Sequence, residues 1–276
     1  MDLKSRIRGV ALEIIKSGQN PKVKLVRSLY ENKGRAANNA FVVEGARFVD
    51  EITNEWKVQF YLVSEEFARR DIEKYVQNAP VFVADEKTFT SACDTQTPQG
   101  ILAVCDKPDT RLTSEKLTEI LQVKNPMFLL LENTQNPGNL GTAIRTADAV
   151  GATAVFVSVG SVDVFNPKVI RSAAGSVFHL PFFTDADILD IVDGLKRNGV
   201  NVYAASLEGA VSLYSLDLTT GCAFVIGNEA HGLKEETVSR CYASVKVPII
   251  GKAESLNAAV AGGVLLYEAV RQRLRN

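Results

Sequence analysis

The chain has little of what most cofactor and catalytic signatures require. Among its 276 residues are four cysteines and two histidines. Cys93, Cys105, Cys222 and Cys241 stand far apart with no CxxC spacing, and only His179 and His231 could complete a metal site, so no metal is assigned. Each cysteine lies in or beside an apolar stretch and reads as a reduced, buried thiol rather than a nucleophile. GxGxxG between strand and helix, GxxxxGK[ST], GxSxG and HExxH are all missing, which removes support for dinucleotide, nucleoside triphosphate, serine-hydrolase and zinc-protease chemistry. No apolar run approaches the roughly 20 residues of a membrane span. The opening MDLKSRIRGVALEIIKSG is interrupted by charge and carries no signal-peptide core. The expectation is a cytoplasmic protein with no membrane partner.

What is present is ordinary globular material. The chain is 46% hydrophobic and 23% charged, which argues against disorder, and its length favours two domains over one core. The net charge of −1 hides an asymmetry. Residues 1–35 hold nine basic side chains (Lys4, Arg6, Arg8, Lys16, Lys22, Lys24, Arg27, Lys33 and Arg35) against Asp2, Glu13 and Glu31. Such a basic segment on an acidic body suits a phosphate-binding face, because lysine and arginine gain affinity by releasing condensed counterions; a solvated basic helix is the alternative.

Periodicity orders the rest. Leu3, Ile7, Val10 and Ile14 are spaced as a first amphipathic helix, and after Asn20-Pro21 the stretch VKLVRSLYENKGRAANNA predicts a second one ending near Gly34. Short β-rich runs follow at 41–45, 58–64, 79–85 and 100–106, separated by helical stretches around 45–54, 65–78 and 86–93. Pro108, Asp109 and Thr110 read as a linker before a helix around 114–123. Longer apolar strands then begin at 127–133, 154–160, 201–206, 222–228 and 243–249, with helices starting near Gly138, Asn166, Asp187 and Ser255. Strands this apolar are covered on both faces, so a mainly parallel sheet flanked by helices is expected.

In such a sheet ligands sit beyond the carboxyl ends of the strands. Four segments there carry polar residues. ENTQNPGNLGTAIRTADAVGA (132–152) places Asn139 near a helix start, where an N-cap is the plain alternative, and Arg145 about two turns along an otherwise apolar helix, where a solvated surface arginine is the plain alternative. FVIGNEAHGL (224–233) sets Glu229 and His231 between Gly227 and Gly232; His231, without a visible partner, reads as an exposed loop imidazole. VPIIGKAESLNAAVAGGVLLYEAVRQ (247–272) offers Ser255 as N-cap and Asn257 in the first turn of a last helix. Its Gly262 and Gly263 cost helix propensity, which implies close approach of a neighbour. SLEGA (206–210) follows another strand. A pocket of main-chain groups, Asn and Ser, without a phosphate cradle, suits a ligand lacking phosphates.

Taken in order, NPGNLGTAIRTA, VIGNEAHGL and VPIIGKAESLNAAVA resemble the three motifs of the SpoU (TrmH-like) family of RNA ribose 2′-O-methyltransferases, within the SPOUT superfamily. Asn139, Arg145, Gly227, Glu229, Ser255 and Asn257 occupy the diagnostic positions, and NPKVIRSAAGSVFHLP (166–181) is similar to the family's middle segment, which points to Arg171 and Ser172 on the substrate side. Upstream, VKLVRSLYENKGRAANNAFVVEGARFVDE and TPQGILAV resemble the L30e-like substrate-binding domain of the ribosomal-RNA branch. The resemblance implies an α/β protein with an RNA-binding domain at 1–107, a linker at 108–124 and a methyltransferase domain at 125–276 that holds a deep trefoil knot and assembles as a homodimer. A knot breaks the usual topology rules, and no periodicity shows it.

The implied reaction is S-adenosylmethionine-dependent methylation of a ribose 2′-oxygen in structured RNA, ribosomal RNA foremost. Because arginine stays protonated, Arg145 fits a clamp on phosphate and 2′-oxygen better than a general base. Asn139, Glu229, Ser255 and Asn257 are expected to orient the reacting groups, with main-chain groups near Ser206, Leu207, Gly227, Ile249 and Leu256 holding the cofactor. Lys22, Lys24, Arg27, Lys33 and Arg35, with Arg171 and Ser172, are expected to grip RNA. The alternatives are a transfer-RNA methyltransferase, a catalytically inactive RNA-binding homologue, and a dinucleotide oxidoreductase, which lacks its glycine fingerprint.

Overall fold

A computed structural model describes residues 14–70 and 72–275. These divide into two compact units: the residues up to Pro108 with Phe165–Arg171, and Asp109–Val164 with Ser172 onward.

The first unit is built on a mixed five-stranded sheet of β1 (Ile14–Ile15), β2 (Ala40–Glu44), β3 (Val58–Ser64), β4 (Val81–Ala84) and β5 (Ile101–Asp106), in the order β1-β4-β3-β5-β2. The β1–β4 and β3–β4 pairs are parallel, and β5 runs antiparallel to β3 and β2. Against it lies the helix Pro21–Leu29, started by Pro21 and by the Asn20 side chain, which accepts the Lys22 N–H. Val23, Val26 and Leu29 recur every three residues, are fully buried, and pack with Val42, Phe60, Leu62 and Val104.

Two expectations change here. Ile14 belongs to a parallel strand rather than to the first helix, whose Leu3, Ile7 and Val10 lie outside the described residues, as do Lys4, Arg6 and Arg8. The long second helix is two: it stops at Leu29, Glu31 is extended, and a short helix Asn32–Asn38 follows. Gly34 sits where a Cβ would collide with the Ser28 carbonyl, so the two helices can touch only because it has none. Arg35 closes the break. It is 1% exposed, and its Nη1 donates to the Leu29 and Tyr30 carbonyls, both at 3.0 Å. Those are orphan acceptors at a helix end, so the expected role of Arg35 in gripping RNA is replaced by a capping one.

The second unit holds seven strands: β6 (Met127–Leu131), β7 (Ala154–Ser158), β8 (Phe182–Ala186), β9 (Asn201–Ala205), β10 (Val211–Ser212), β11 (Cys222–Ile226) and β12 (Ala243–Lys246). Their order is β10-β12-β9-β11-β6-β7-β8, and every pair is parallel. Strands β8 and β10 and the helix Glu235–Arg240 escape sequence reading. β8 carries Thr184 and Asp185, the latter at φ 52°, and β10 is two residues long. Alternation sorts the core. Phe128 and Leu130 of β6 face one layer with Val192 and Leu195 of the helix Ile188–Arg197 and Ile120 of the helix Ser114–Leu121. Leu129 points the other way, toward the last helix, Ala258–Arg273.

The glycines of that helix now have a cause. A Cβ on Gly262 would stand 3.5 Å from the Ile226 side chain and 3.7 Å from that of Leu129, and one on Gly263 would stand 3.3 Å from Thr146. The helix therefore lies against β11, β6 and the helix Pro137–Ala149 at short range, a gain in packing that outweighs about 1 kcal/mol of lost propensity per glycine. All four cysteines are free; burial pushes the thiols of Cys222 and Cys241 up to about 11. Among the described residues no helix is long and apolar enough to cross a membrane, and no three metal-ligating side chains gather.

Candidate active site

Strands β12, β9, β11 and β6 are consecutive across the sheet, so the loops leaving their carboxyl ends emerge side by side. They enclose a cleft of about 1340 Å³ lined by segments 133–139, 205–208, 226–233, 245–249 and 255–258. This exceeds the roughly 300–1000 Å³ of an ordinary small-molecule pocket, and the cleft is open to solvent. Among the expected residues, Asn139, Ser206, Leu207, Gly227, Glu229, Ile249, Ser255, Leu256 and Asn257 all line it.

The walls are held by side-chain capping and an amide relay. The helix Pro137–Ala149 starts at Asn136, whose side chain accepts the N–H groups of Gly138 and Asn139 at 2.8 and 3.2 Å. The N-cap is thus Asn136, and Asn139 is released for another use. At the other helix Asn257, not Ser255, is the cap: its Oδ1 accepts from Ala259 and Val260 at 3.0 and 3.3 Å. Its Nδ2 donates to Asn139 Oδ1 at 2.9 Å, and Asn139 Nδ2 donates to Glu229 Oε1 at 2.9 Å. Glu229 also accepts the main-chain N–H groups of Gln135 and Asn136, each at 3.2 Å. Partial burial by itself would raise this carboxyl, but the Asn139 amide and the main-chain donors outweigh it and hold Glu229 below the usual carboxylate range. A carboxylate so occupied is an anchor, poorly suited to take a proton.

Backbone geometry explains the glycine beside it. Asn228 and Gly232 exchange N–H···O bonds at 3.0 and 2.9 Å, pinching the loop, and a Cβ on Gly227 would collide with the Gly232–Leu233 peptide. Asn228 Nδ2 reaches across to the Asn133 carbonyl at 2.8 Å, while its Oδ1 accepts from Ala230 and His231. Below, the 4%-exposed Glu132 accepts from Lys234 N and Thr237 Oγ1 at 3.0 and 2.6 Å and ties β6 to the start of the helix Glu235–Arg240. Sequence reading missed Gln135, Asn136, Asn228 and Glu132. The Asn-Pro pair was an available signal for Asn136; the others depend on contacts about a hundred residues apart.

The charges of the lining are Glu208, Glu229 and Lys246, with His231 at the edge. Two carboxylates against one ammonium, with exposed Leu207 and Leu256, disfavour a polyphosphate and suit an uncharged or cationic ligand with an apolar body. Ser255 makes no side-chain hydrogen bond among the described residues and stays available.

Not every expected residue joins the cleft. Arg145 lies six residues beyond Asn139, about 9 Å along the helix. It is exposed, makes no hydrogen bond or ion pair among the described residues, and is absent from the cleft walls. Arg171, at the end of the segment 165–171, belongs to the first unit and pairs with Asp94 at 2.8 Å; Ser172 falls in the second. Of the basic helix residues, Lys22 sits over the rings of Phe60 and Phe82 at 4.6 and 4.9 Å, and Arg27 donates to the carbonyls of Ser91 and Gly18 at 2.8 and 3.4 Å. Lys24 and Lys33 are exposed.

Residues 126–267 match the family model described as the SpoU rRNA Methylase family, and residues 20–103 match the MRM3-like substrate binding domain. The chain is 36% identical, over 92% of its length and 97% of the relative's, to the 23S rRNA (guanosine(2553)-2′-O)-methyltransferase RlmP of Bacillus subtilis. It is 28% identical, over 94% of its length and 92% of the relative's, to the 23S rRNA (uridine(2479)-2′-O)-methyltransferase of Streptomyces viridochromogenes. Among solved structures, it is similar to an AdoMet-bound rRNA methyltransferase from Sinorhizobium meliloti, with TM-score 0.83 and 29% identity, covering 94% of this chain and 98% of that one.

Proposed function

The chain belongs to the SpoU rRNA methylase family, and from that premise we propose that it methylates a ribose 2′-hydroxyl of ribosomal RNA with S-adenosylmethionine as donor. One observation carries this reading: the three motif loops, far apart in sequence, converge on one cleft and are tied together by the Asn257–Asn139–Glu229 relay. The cleft fits the donor in chemistry, with an acidic balance and apolar rim toward a sulfonium and no cationic cradle for phosphates. Main chain near Ser206, Leu207, Gly227, Ile249 and Leu256 would hold it. S-adenosylmethionine supplies an electrophilic methyl group on a positively charged sulfur.

The protein's own part is to position and to stabilise charge. The relay fixes both asparagine amides and the start of the helix that carries Arg145, so that residue is held on a rigid element. Because arginine as a residue type stays protonated, Arg145 is not given the role of base. It serves as a clamp, its guanidinium drawing negative charge toward the 2′-oxygen and an adjoining phosphate as the hydroxyl proton departs to phosphate or water. Ser255, unpaired at the cleft edge, orients the ribose.

Arg145 lies outside the walls of its own cleft, so the working unit is a homodimer in which a neighbouring copy's cleft can receive it. The last helix supports that reading: Val260, Tyr267 and Leu274, seven residues apart, form a stripe 50%, 53% and 82% exposed. The knot is proposed on the path of the chain. After β12 it runs through 247–257 and lays its last helix against β11, two strands away, and against the helix Pro137–Ala149.

The test is methyl transfer from labelled S-adenosylmethionine to protein-free ribosomal RNA, with mapping of the modified ribose. Arg145→Ala should abolish transfer and leave S-adenosylhomocysteine affinity nearly unchanged; equal turnover in variant and wild type would end this role for Arg145.

A further inference from the structure

The basic helix region of the first unit is largely engaged. Lys22 caps two phenylalanine rings, Arg27 donates to carbonyls, and Arg35 is buried, which leaves Lys24 and Lys33. Elsewhere in the same unit stand cations with no such duty. Arg47, in the short helix Ala46–Val49 that follows β2, is exposed, and its side chain makes no hydrogen bond or ion pair among the described residues. Lys168 is likewise exposed. Arg171 is half satisfied: Nη2 donates to Asp94 at 2.8 Å, while Nη1 is buried with no partner.

A continuous set of contacts joins the end of β2 to Arg171, with Arg47 three residues beyond Glu44 and Lys168 three residues before Arg171 in the same helix. Glu44, the last residue of β2, is 6% exposed and accepts from Tyr30 Oη, from the main-chain N–H groups of Asp94 and Thr95, and from the Thr95 hydroxyl. It thereby fastens the loop 93–95 to β2, and Asp94 in turn meets Arg171. Gly45 lies against Gln99, whose Oε1 would be 3.1 Å from a Cβ there, and Arg47 follows two residues later. Of the acidic groups close to Arg47 in sequence, Glu44 is turned inward, Asp50 meets Lys74 and Tyr75, and Glu51 is engaged as well.

We propose that this end of the first unit, formed by Arg47, Lys168 and Arg171 around the loop 94–99, takes the backbone phosphates of the RNA substrate, with Asp94 holding Arg171 until a phosphate replaces it. The proposal rests on the methyltransferase reading and assigns its RNA-binding surface. Guanidinium groups bind phosphate oxygens strongly, and Arg171 Nη2, which now donates to the exposed Asp94 carboxylate, can exchange that acceptor for a phosphate oxygen.

The experiment is binding of the full chain to protein-free 23S ribosomal RNA across a salt series. Arg47→Ala should weaken binding three- to tenfold and flatten the salt slope by about one unit, while Arg47→Lys keeps the slope. Lys24→Glu and Lys33→Glu should each change affinity less than Arg47→Glu does. Asp94→Ala should tighten binding by freeing Arg171. An unchanged slope in Arg47→Ala, or a loss confined to the Lys24 and Lys33 variants, would overturn the surface; weaker binding by Asp94→Ala would overturn the exchange at Arg171. Should Arg171→Ala fail to fold, the Arg47 and Asp94 variants decide. S-adenosylhomocysteine affinity, measured in parallel, separates the two readings: wild type that binds RNA through Arg47 but neither binds this product nor transfers methyl would refute the methyltransferase reading alone.

Discussion

The two units cover their sheets with helices alike, yet they turn their strongest polar groups in opposite directions. In the first, Glu44 and Arg35 are buried and satisfied by their own chain, one fastening a loop and the other capping a helix. In the second, Glu229 and Asn139 stand at the open ends of parallel strands and bind loops across a cleft, while Arg145 projects into solvent with no partner among the described residues. The difference follows from topology. In a parallel sheet the carboxyl ends of neighbouring strands open on one side and must be closed by loops, and polar groups there meet ligand. In the first unit the antiparallel β5 brings the start of one strand beside the ends of its neighbours, so polar groups there close the structure on itself.

Arg35 and Arg145 give the sharpest test of that contrast. Arg145→Ala should cut methyl transfer by about 10²–10³ or more while changing unfolding free energy by less than about 0.5 kcal/mol. If stability fell and transfer survived, the two units would not differ as described. Next in size, Gly227→Ala must move the 227–232 loop, so cofactor affinity should fall at least about tenfold, with stability reduced by about 3 kcal/mol in urea unfolding; a variant with wild-type affinity would show that the pinched loop is not part of the cleft. Arg35→Ala should do the reverse of Arg145→Ala. It orphans two helix-end carbonyls and should cost about 2–3 kcal/mol, with transfer per folded molecule unchanged.

The smallest effect sharpens the role of Glu229. Its carboxyl is held below the usual value near 4.3. The stabilisation it contributes is therefore complete above that ordinary value and is lost as the pH falls through the lowered one. Glu229→Gln should be less stable than wild type by a constant margin from about pH 5 to pH 8, and the margin should close in acid. A margin that widened in acid would mean the carboxyl acts protonated.

Much of this could be read in order along the chain. The apolar runs located nine strands to within a few residues, because a strand buried on both faces leaves an unbroken hydrophobic record. Motif residues located the cleft, because ligand loops follow those strands. The failures have one character. Ile14 has helical spacing but pairs with β4; β8 contains Thr184 and Asp185 and still lies at a sheet edge. Asn139 and Ser255 had the right residue types for caps, but Asn136 and Asn257 stood in the positions whose extended backbone lets a side chain reach back to the helix N–H groups. Arg35 had the charge of an RNA contact and the surroundings of a core residue.

The sequence by itself determined the segments that carry the site, since strand periodicity and turn glycines are local properties of neighbouring residues, and the resemblance of three of those segments to the SpoU motifs implied the class of chemistry. Which arginine is buried, which asparagine caps and which relays, and which cations are left free were decided only by the tertiary structure. Each of those outcomes depends on whether a distant residue, such as Glu229 for Asn139 or Asp94 for Arg171, arrives within hydrogen-bonding distance, and nothing short of the folded chain specifies that.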